Sequence, residues 1–249
     1  MTDFAKIDAL AAELKEMRPL NDAELKRLRD EFVIENTYNS NAIEGSTLTL
    51  RETALIIQEG VTIGGKKMRE HLDVIGHKEA FDYIVTLADR QEPLTERTIK
   101  EIHSLVLMDD RDNRGKYRNI PVRILGALHE PPQPYLVPSQ MEQLIADYAE
   151  MKASEHIVQA AAEFHLRFEG VHPFIDGNGR TGRLVLNLEL IKAGLLPVNV
   201  KFTDRQRYYE CFDRYYGEEH TAAAMIELIA EYEAAELEKR IELLRGTGK

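Results

Sequence analysis

His172-Pro173-Phe174-Ile175-Asp176-Gly177-Asn178-Gly179-Arg180-Thr181-Gly182-Arg183 runs directly into Leu184-Val185-Leu186-Asn187-Leu188-Glu189-Leu190-Ile191. The second run is apolar, of helical length, and ends at Gly194, so the turn at Gly177–Gly179 should open a helix. A helix N-terminus exposes unpaired N–H groups and a partial positive charge, which together attract phosphate. Gly177 and Gly179 let the backbone approach a ligand closely or take positive φ. Arg180 and Arg183, one turn apart, should share a side of the first turn, where two guanidinium forks suit a polyphosphate. Asp176 is a hard oxygen ligand placed for the Mg²⁺ that accompanies such an anion. His172 is the group here able to take a proton near neutral pH without a large pKa shift.

The whole chain fits this reading. It has 249 residues, 43% hydrophobic and 30% charged, enough for one globular unit or a core with an extension. A formal net charge of −11 argues against nonspecific binding to nucleic acid or to an anionic membrane, while leaving room for a local basic pocket. Cys211 is the single cysteine, so no internal disulfide is available and a reducing compartment is expected. Met1–Lys6 lacks a basic segment followed by an apolar one, and no apolar run approaches membrane-spanning length. A cytoplasmic location is the expectation.

Working outward, the pattern is helical almost throughout. Phe4, Ile7, Leu10 and Leu14 stripe a first helix ended by Pro19, and Asn21 with Glu24 is a capping-box pair for a second. That helix should stop at Gly45 as a C′ residue, which leaves Glu44 a carboxylate at the negative end of a helix dipole. Taken alone, Glu44 reads as a solvated charge in a loop. Thr49 and Glu52 cap a third helix stopped by Gly60, residues 68–89 read as another, and Ile99, Ile102, Leu105 and Val106 form the next helical stripe after Pro93 and Thr95. Ser139 with Glu142 and Ser154 mark the starts of the next two, and Thr203 with Gln206 opens one containing Tyr208, Tyr209 and Phe212. Residues 117–137 differ. β-formers give way to Pro131-Pro132-Gln133-Pro134, and Tyr135-Leu136-Val137 reads as the return strand of a short β-hairpin. The expected fold is an all-α bundle with one hairpin. It is not a doubly wound nucleotide fold, since no alternating strands exist to build one. The division read from the sequence is an N-terminal helical extension over 1–94 packed on a core over 95–249.

Other chemistries are weaker. A zinc site from His165, His172 and Asp176 has no zinc-motif spacing, and the turn suits anions. Cys211 as a nucleophile has no base nearby in sequence, and a buried cysteine usually behaves as a small hydrophobe.

The string 172–183 resembles the Fic family signature, H-x-F-x-[D/E]-G-N-G-R-x-x-R, with every fixed position matched. Ser40-x-x-x-Glu44-Gly45 resembles the inhibitory motif [S/T]-x-x-x-E-[G/N] that precedes many Fic cores. The resemblance implies a protein adenylyltransferase. His172 takes the proton of a target Ser, Thr or Tyr hydroxyl, Asp176 binds Mg²⁺, and Gly177, Asn178, Gly179, Arg180 and Arg183 hold the phosphates of ATP. Glu44, with Ser40, inhibits by pairing with Arg183, and Tyr209 contacts the adenine. Residues 117–137 become a flap that holds the target protein, with self-modification and homodimer formation as further expectations. Relatives that transfer phosphate instead carry Lys at the Gly179 position, so Gly179 points to AMP transfer. Gly182 stands where a small Ala or Ser is usual. Two alternatives stay open. One is a hydrolase, or a bifunctional enzyme, in which Glu44 positions water to remove AMP. The other is a nucleotide-sensing module, against which the intact His172, Asp176 and arginine set argues.

Overall fold

In a computed structural model, which describes residues 4–124, 126–217 and 219–246, the chain folds into ten α-helices. They are α1 Phe4–Glu16, α2 Asp22–Ile43, α3 Leu50–Glu59, α4 Met68–Asp89, α5 Glu96–Val106, α6 Val137–Ser154, α7 Ile157–Val171, α8 Asn178–Lys192, α9 Arg205–Tyr216 and α10 Ala223–Gly246. Among the described residues there is no β-strand, and no helix is long and apolar enough to cross a membrane.

The short-range signals translate directly. Asn21 and Glu24 form both halves of a capping box at the start of α2, as do Thr49 and Glu52 at the start of α3. Gly60 ends α3 with φ 67°, and Gly45 follows α2 with φ 93°, a region open to glycine at little steric cost.

α8 is the buried centre, packed by α7, α4, α5 and α2. Leu184, Val185 and Leu188 face an apolar cluster shared with α2, α4, α5, α6 and α7. Leu186 and Leu190 face a second cluster built with α1, α7, α9 and α10. A helix apolar on all sides can sit only inside a bundle. Its polar residues are therefore paired. Glu189, 1% exposed, accepts from Lys152 at 2.8 Å, Lys192 at 2.7 Å and the Tyr148 hydroxyl at 2.8 Å. Asn187 clamps Val198, accepting from its N–H at 2.8 Å and donating to its carbonyl at 3.0 Å.

The hairpin expected over 117–137 is corrected. Tyr135 and Leu136 lie in a 3₁₀ turn, Pro134–Leu136, and Val137 begins α6. The proline donors missing at 121, 131, 132 and 134 leave no ladder to build. One buried side chain gathers much of the segment's hydrogen bonding. Arg118, 5% exposed, donates to the carbonyls of Ile120 (3.2 Å), Pro132 (2.6 Å), Val171 (3.4 Å) and His172 (2.8 Å). Three helix starts also move. α6 begins ahead of Ser139, Ser154 closes α6 rather than opening α7, and α9 follows a 3₁₀ turn, Phe202–Asp204, without a side-chain cap.

Three of the buried histidines, His77, His103 and His165, are fully enclosed in this bundle. Burial holds His103 down at about 4, and burial with nearby Arg183 holds His77 and His165 at about 3. Each is neutral when folded and accepts a proton more readily when unfolded. Their contribution to stability is present above about pH 6.5 and is lost as pH falls towards 4, by up to about 1.4 kcal/mol per pH unit each. Glu233, pushed up to about 8 by burial, works in the opposite sense. With three groups against one, the urea midpoint should fall between pH 6.5 and 4.5. A flat midpoint over that range would contradict the neutral burial of these rings.

Candidate active site

The loop between α7 and α8 is shaped by its own side chains. α7 ends at His172, which takes the left-handed conformation (φ 47°, ψ 60°) while its N–H still bonds the Phe168 carbonyl at 2.9 Å. This aims the imidazole out of the helix into a cleft of about 560 Å³. Gly177, at φ 75°, is the N-cap position of α8. The positive φ favours glycine there, and a Cβ would also stand 3.2 Å from Val106 Cγ1 of α5.

Asn178 closes the turn from inside. It is 2% exposed, its Oδ1 accepts from Phe174 N and its Nδ2 donates to Phe174 O, both at 2.9 Å. This corrects the expectation that its side chain cradles phosphate, because both of its polar ends are spent on the loop. Gly177, Asn178 and Gly179 at the start of α8 line the cleft, where helix N-terminal amides can receive an anion.

Two holding residues carry no motif. His103 of α5 accepts from Gly115 N at Nδ1 (2.9 Å), so its proton sits on Nε2, which donates to the Asp176 carbonyl at 2.9 Å. Its ring also stacks on Phe174, 3.6 Å between centroids and 4° from parallel. A histidine on the stripe of Ile99, Ile102 and Val106 was the only available signal. Arg118, which fixes the His172 and Val171 carbonyls, sits in turn sequence that gives none.

The two signature arginines part company. Arg183 lines the cleft, buried. Its Nη2 donates to Glu44 Oε1 at 2.8 Å and to the Ser40 carbonyl at 3.0 Å, its Nε to Ser40 Oγ at 3.1 Å, and its Nη1 to the Tyr208 hydroxyl at 3.3 Å. Burial opposes this charge, but Tyr208 and Glu44 outweigh it and raise the Arg183 pKa. Arg180 instead turns towards α4. It pairs with Asp73, lies 3.6 Å from Asp176 and does not line the cleft. The expectation that both forks face one polyphosphate is corrected. Three helical positions turn the side chain by less than a full turn, and α4 offers a carboxylate on that side.

Asp176 is 45% exposed at its side chain and pairs with Arg69 of α4. Burial works against its charge, but Arg180, the Gly177 N–H and Arg69 prevail and keep its pKa below the usual value. Tyr209 lines the cleft and donates its hydroxyl to the Ile43 carbonyl at 3.0 Å. The structure thus gathers His172, Asp176, Gly177, Gly179, Arg183, Tyr209 and Glu44 around one cavity.

The fold thus brings an imidazole, a carboxylate and a glycine-rich helix N-terminus to one cleft of an all-α bundle. Residues 93–190 match the Fic/DOC family. Protein adenylyltransferase Fic from Nematostella vectensis is 38% identical over 196 residues, covering 77% of this chain and 45% of that protein. Its counterpart from Culex quinquefasciatus is 35% identical over 212 residues, covering 83% and 41%. The chain therefore spans less than half the length of these curated relatives. A Fic domain containing signaling protein from Bacteroides thetaiotaomicron superposes with a TM-score of 0.88 at 28% identity, covering 97% of each chain. Fic-1 from C. elegans gives 0.87 at 28% identity, covering 98% of this chain and 72% of that one. The chain belongs to the Fic/DOC family.

Gly182 has a local reason. A Cβ there would stand 2.7 Å from His165 Nδ1 and 2.9 Å from Glu169 Oε1. Alanine in a helix ordinarily gains about 1 kcal/mol over glycine. Here overpacking costs about 1–3 kcal/mol and should win. Gly182→Ala is expected to lower the urea-unfolding free energy, and an increase would contradict the contact.

Proposed function

We propose that this chain transfers AMP from ATP to a Ser, Thr or Tyr hydroxyl of a target protein and is restrained by the Glu44–Arg183 pair. The observation that carries the reading is the shared cleft. His172, the α8 amides and Arg183 all line it, and Glu44 lies between them on the guanidinium. The curated relatives named as protein adenylyltransferases support the same chemistry.

The steps follow from the groups. The target hydroxyl gives its proton to His172 as its oxygen attacks the α-phosphorus of ATP, and pyrophosphate leaves. The amides of Gly177 to Gly179 take the phosphate charge, and Arg183, once released by Glu44, holds the outer phosphate. Arg180 acts from outside the cleft, holding Asp176 through its charge and α4 through Asp73. Tyr209 edges the cleft and suits stacking on adenine. Among the described residues no three His, Cys, Asp or Glu gather to hold a metal. The half-exposed Asp176 beside the anion site instead fits Mg²⁺ held by one carboxylate plus substrate phosphates. Bound there, the ion would neutralise charge on the α- and β-phosphates. Ile124, Gly126, Ala127 and His129 line the same cleft, which supports residues 117–137 as the surface where the target segment lies.

Removing Glu44 leaves Arg183 with three of its contacts, Ser40 O, Ser40 Oγ and the Tyr208 hydroxyl. The guanidinium therefore stays in place and gains a free donor facing the cleft. Because Glu44 lines the cleft with His172, a second reading is that it positions a water that removes AMP from modified target. With labelled ATP, Glu44→Gly should raise AMP transfer, self-modification included, at least tenfold, and Glu44→Gly with His172→Ala should abolish it. Equal transfer by wild type and Glu44→Gly would overturn the restraint. Loss of AMP release from pre-modified target in Glu44→Gly would favour the second reading.

A further inference from the structure

Outside the signature, one carboxylate approaches the proposed base. Glu169 sits one turn before His172 on α7, and its Oε2 lies 3.7 Å from His172 Nδ1. Both side chains are largely shielded, 12% exposed for Glu169 and 21% for His172. The two groups have matching needs. His172 Nδ1 and Glu169 Oε1 are both buried atoms without a hydrogen-bond partner. Such orphans are costly, and an unpartnered Nδ1 with a carboxylate 3.7 Å away has an obvious way to be satisfied, by donating to that carboxylate. Glu169 is also kept in position from behind. Its Oε1 borders the space that a Cβ on Gly182 would fill, with His165 Nδ1 on the other side. Arg118 fixes the backbone beneath the base through the His172 carbonyl.

We propose that Glu169 is a positioning residue that selects the protonation pattern of His172. Its carboxylate accepts from Nδ1–H, which leaves the Nε2 lone pair to receive the target hydroxyl's proton. This rests on the adenylyltransferase reading for its consequence, though not for its geometry. A separation of 3.7 Å is longer than a formed hydrogen bond, and catalytic contacts of this kind tighten when substrate is seated. A carboxylate cannot donate, so it can favour only the Nδ1–H form. A glutamine of the same size can present its amide N–H₂ to Nδ1, which drives the proton to Nε2 and removes the base. Neighbouring groups do not supply the same function. Among the described residues no other carboxylate lies within 4.0 Å of the His172 ring nitrogens. Of the others lining the cleft, Asp176 is paired with Arg69 and Glu44 with Arg183, while Asp213 is placed to act on His129.

The test combines a spectroscopic signature with kinetics. Nitrogen-15 NMR of the full chain above neutral pH should show His172 protonated at Nδ1. Glu169→Gln should shift it towards the Nε2-protonated form. In a Glu44→Gly background, Glu169→Gln should lower kcat for AMP transfer on the order of 100-fold with KM for ATP little changed, and Glu169→Asp should recover part of the loss. An Nε2-protonated His172 in the wild type, or an unchanged tautomer and kcat in Glu169→Gln, would overturn the proposal. Should Glu169→Gln fail to fold, the wild-type spectrum alone decides. If Glu44→Gly transfers no AMP at all, the adenylyltransferase reading fails, while the spectra still decide the role of Glu169.

Discussion

Arg183 is a charge on the most buried helix of the bundle, and its need for partners organises the site. Taking a guanidinium out of water is costly unless its donors are met. α7 and α8 supply no carboxylate contact to it. The C-terminal end of α2 does, through the Ser40 hydroxyl and carbonyl and the Glu44 carboxylate. The helix end that carries Glu44 to the cleft is thus also part of what makes Arg183 tolerable in the folded chain. Gly179 shares in this arrangement, because a Cβ there would fall on the Glu44 carboxylate. The missing side chain of Gly179 is thus what lets the Glu44–Arg183 pair lie against the start of α8.

The same contacts limit how inhibition could be relieved. The C-terminal half of α2 is polar yet buried, and its side chains are spent on neighbours. Thr37 bonds His77 at 3.0 Å, Asn36 the Val198 carbonyl at 3.4 Å, and Asn39 both Asn199 (3.2 Å) and Phe202 N (2.9 Å). Moving the whole helix would strand all of these groups. Glu44 stands just past the last turn, at the C-cap with φ −85°, next to Gly45 at φ 93°, and its side chain is 39% exposed. Release by rotation of one side chain or fraying of one turn is much less costly than displacement of α2.

Legibility followed the range of the interaction. Capping boxes, glycine stops and the α8 start were readable because each is decided within a few residues, and the all-α architecture followed from them. Ser40 and Glu44 could be placed opposite Arg183 only because the family resemblance supplied the long-range link. Apart from the helix starts placed at Ser139, Ser154 and Thr203, the misreadings were tertiary. Residues 117–137 look like strands by composition, but prolines and the single side chain of Arg118 take over their hydrogen bonding. Arg180 looked equivalent to Arg183 until Asp73 of α4 claimed it, and Asn178 looked like a ligand group until the Phe174 backbone consumed both of its ends. His103, Arg118 and Glu169 act through partners far away in sequence or through a neutral tautomer. Spacing records neither.

The claim on which the rest depends is that Glu44 and the outer phosphate of ATP compete for one guanidinium. Crystal structures of the wild type and Glu44→Gly, each soaked with a non-hydrolysable ATP analogue and Mg²⁺, test it most directly. In Glu44→Gly the outer phosphate should contact Arg183, with His172 Nε2 facing the α-phosphorus from the side opposite the leaving pyrophosphate. In the wild type that phosphate should lie elsewhere while the Glu44–Arg183 pair persists. An outer phosphate on Arg183 with Glu44 still bonded to it would contradict the account.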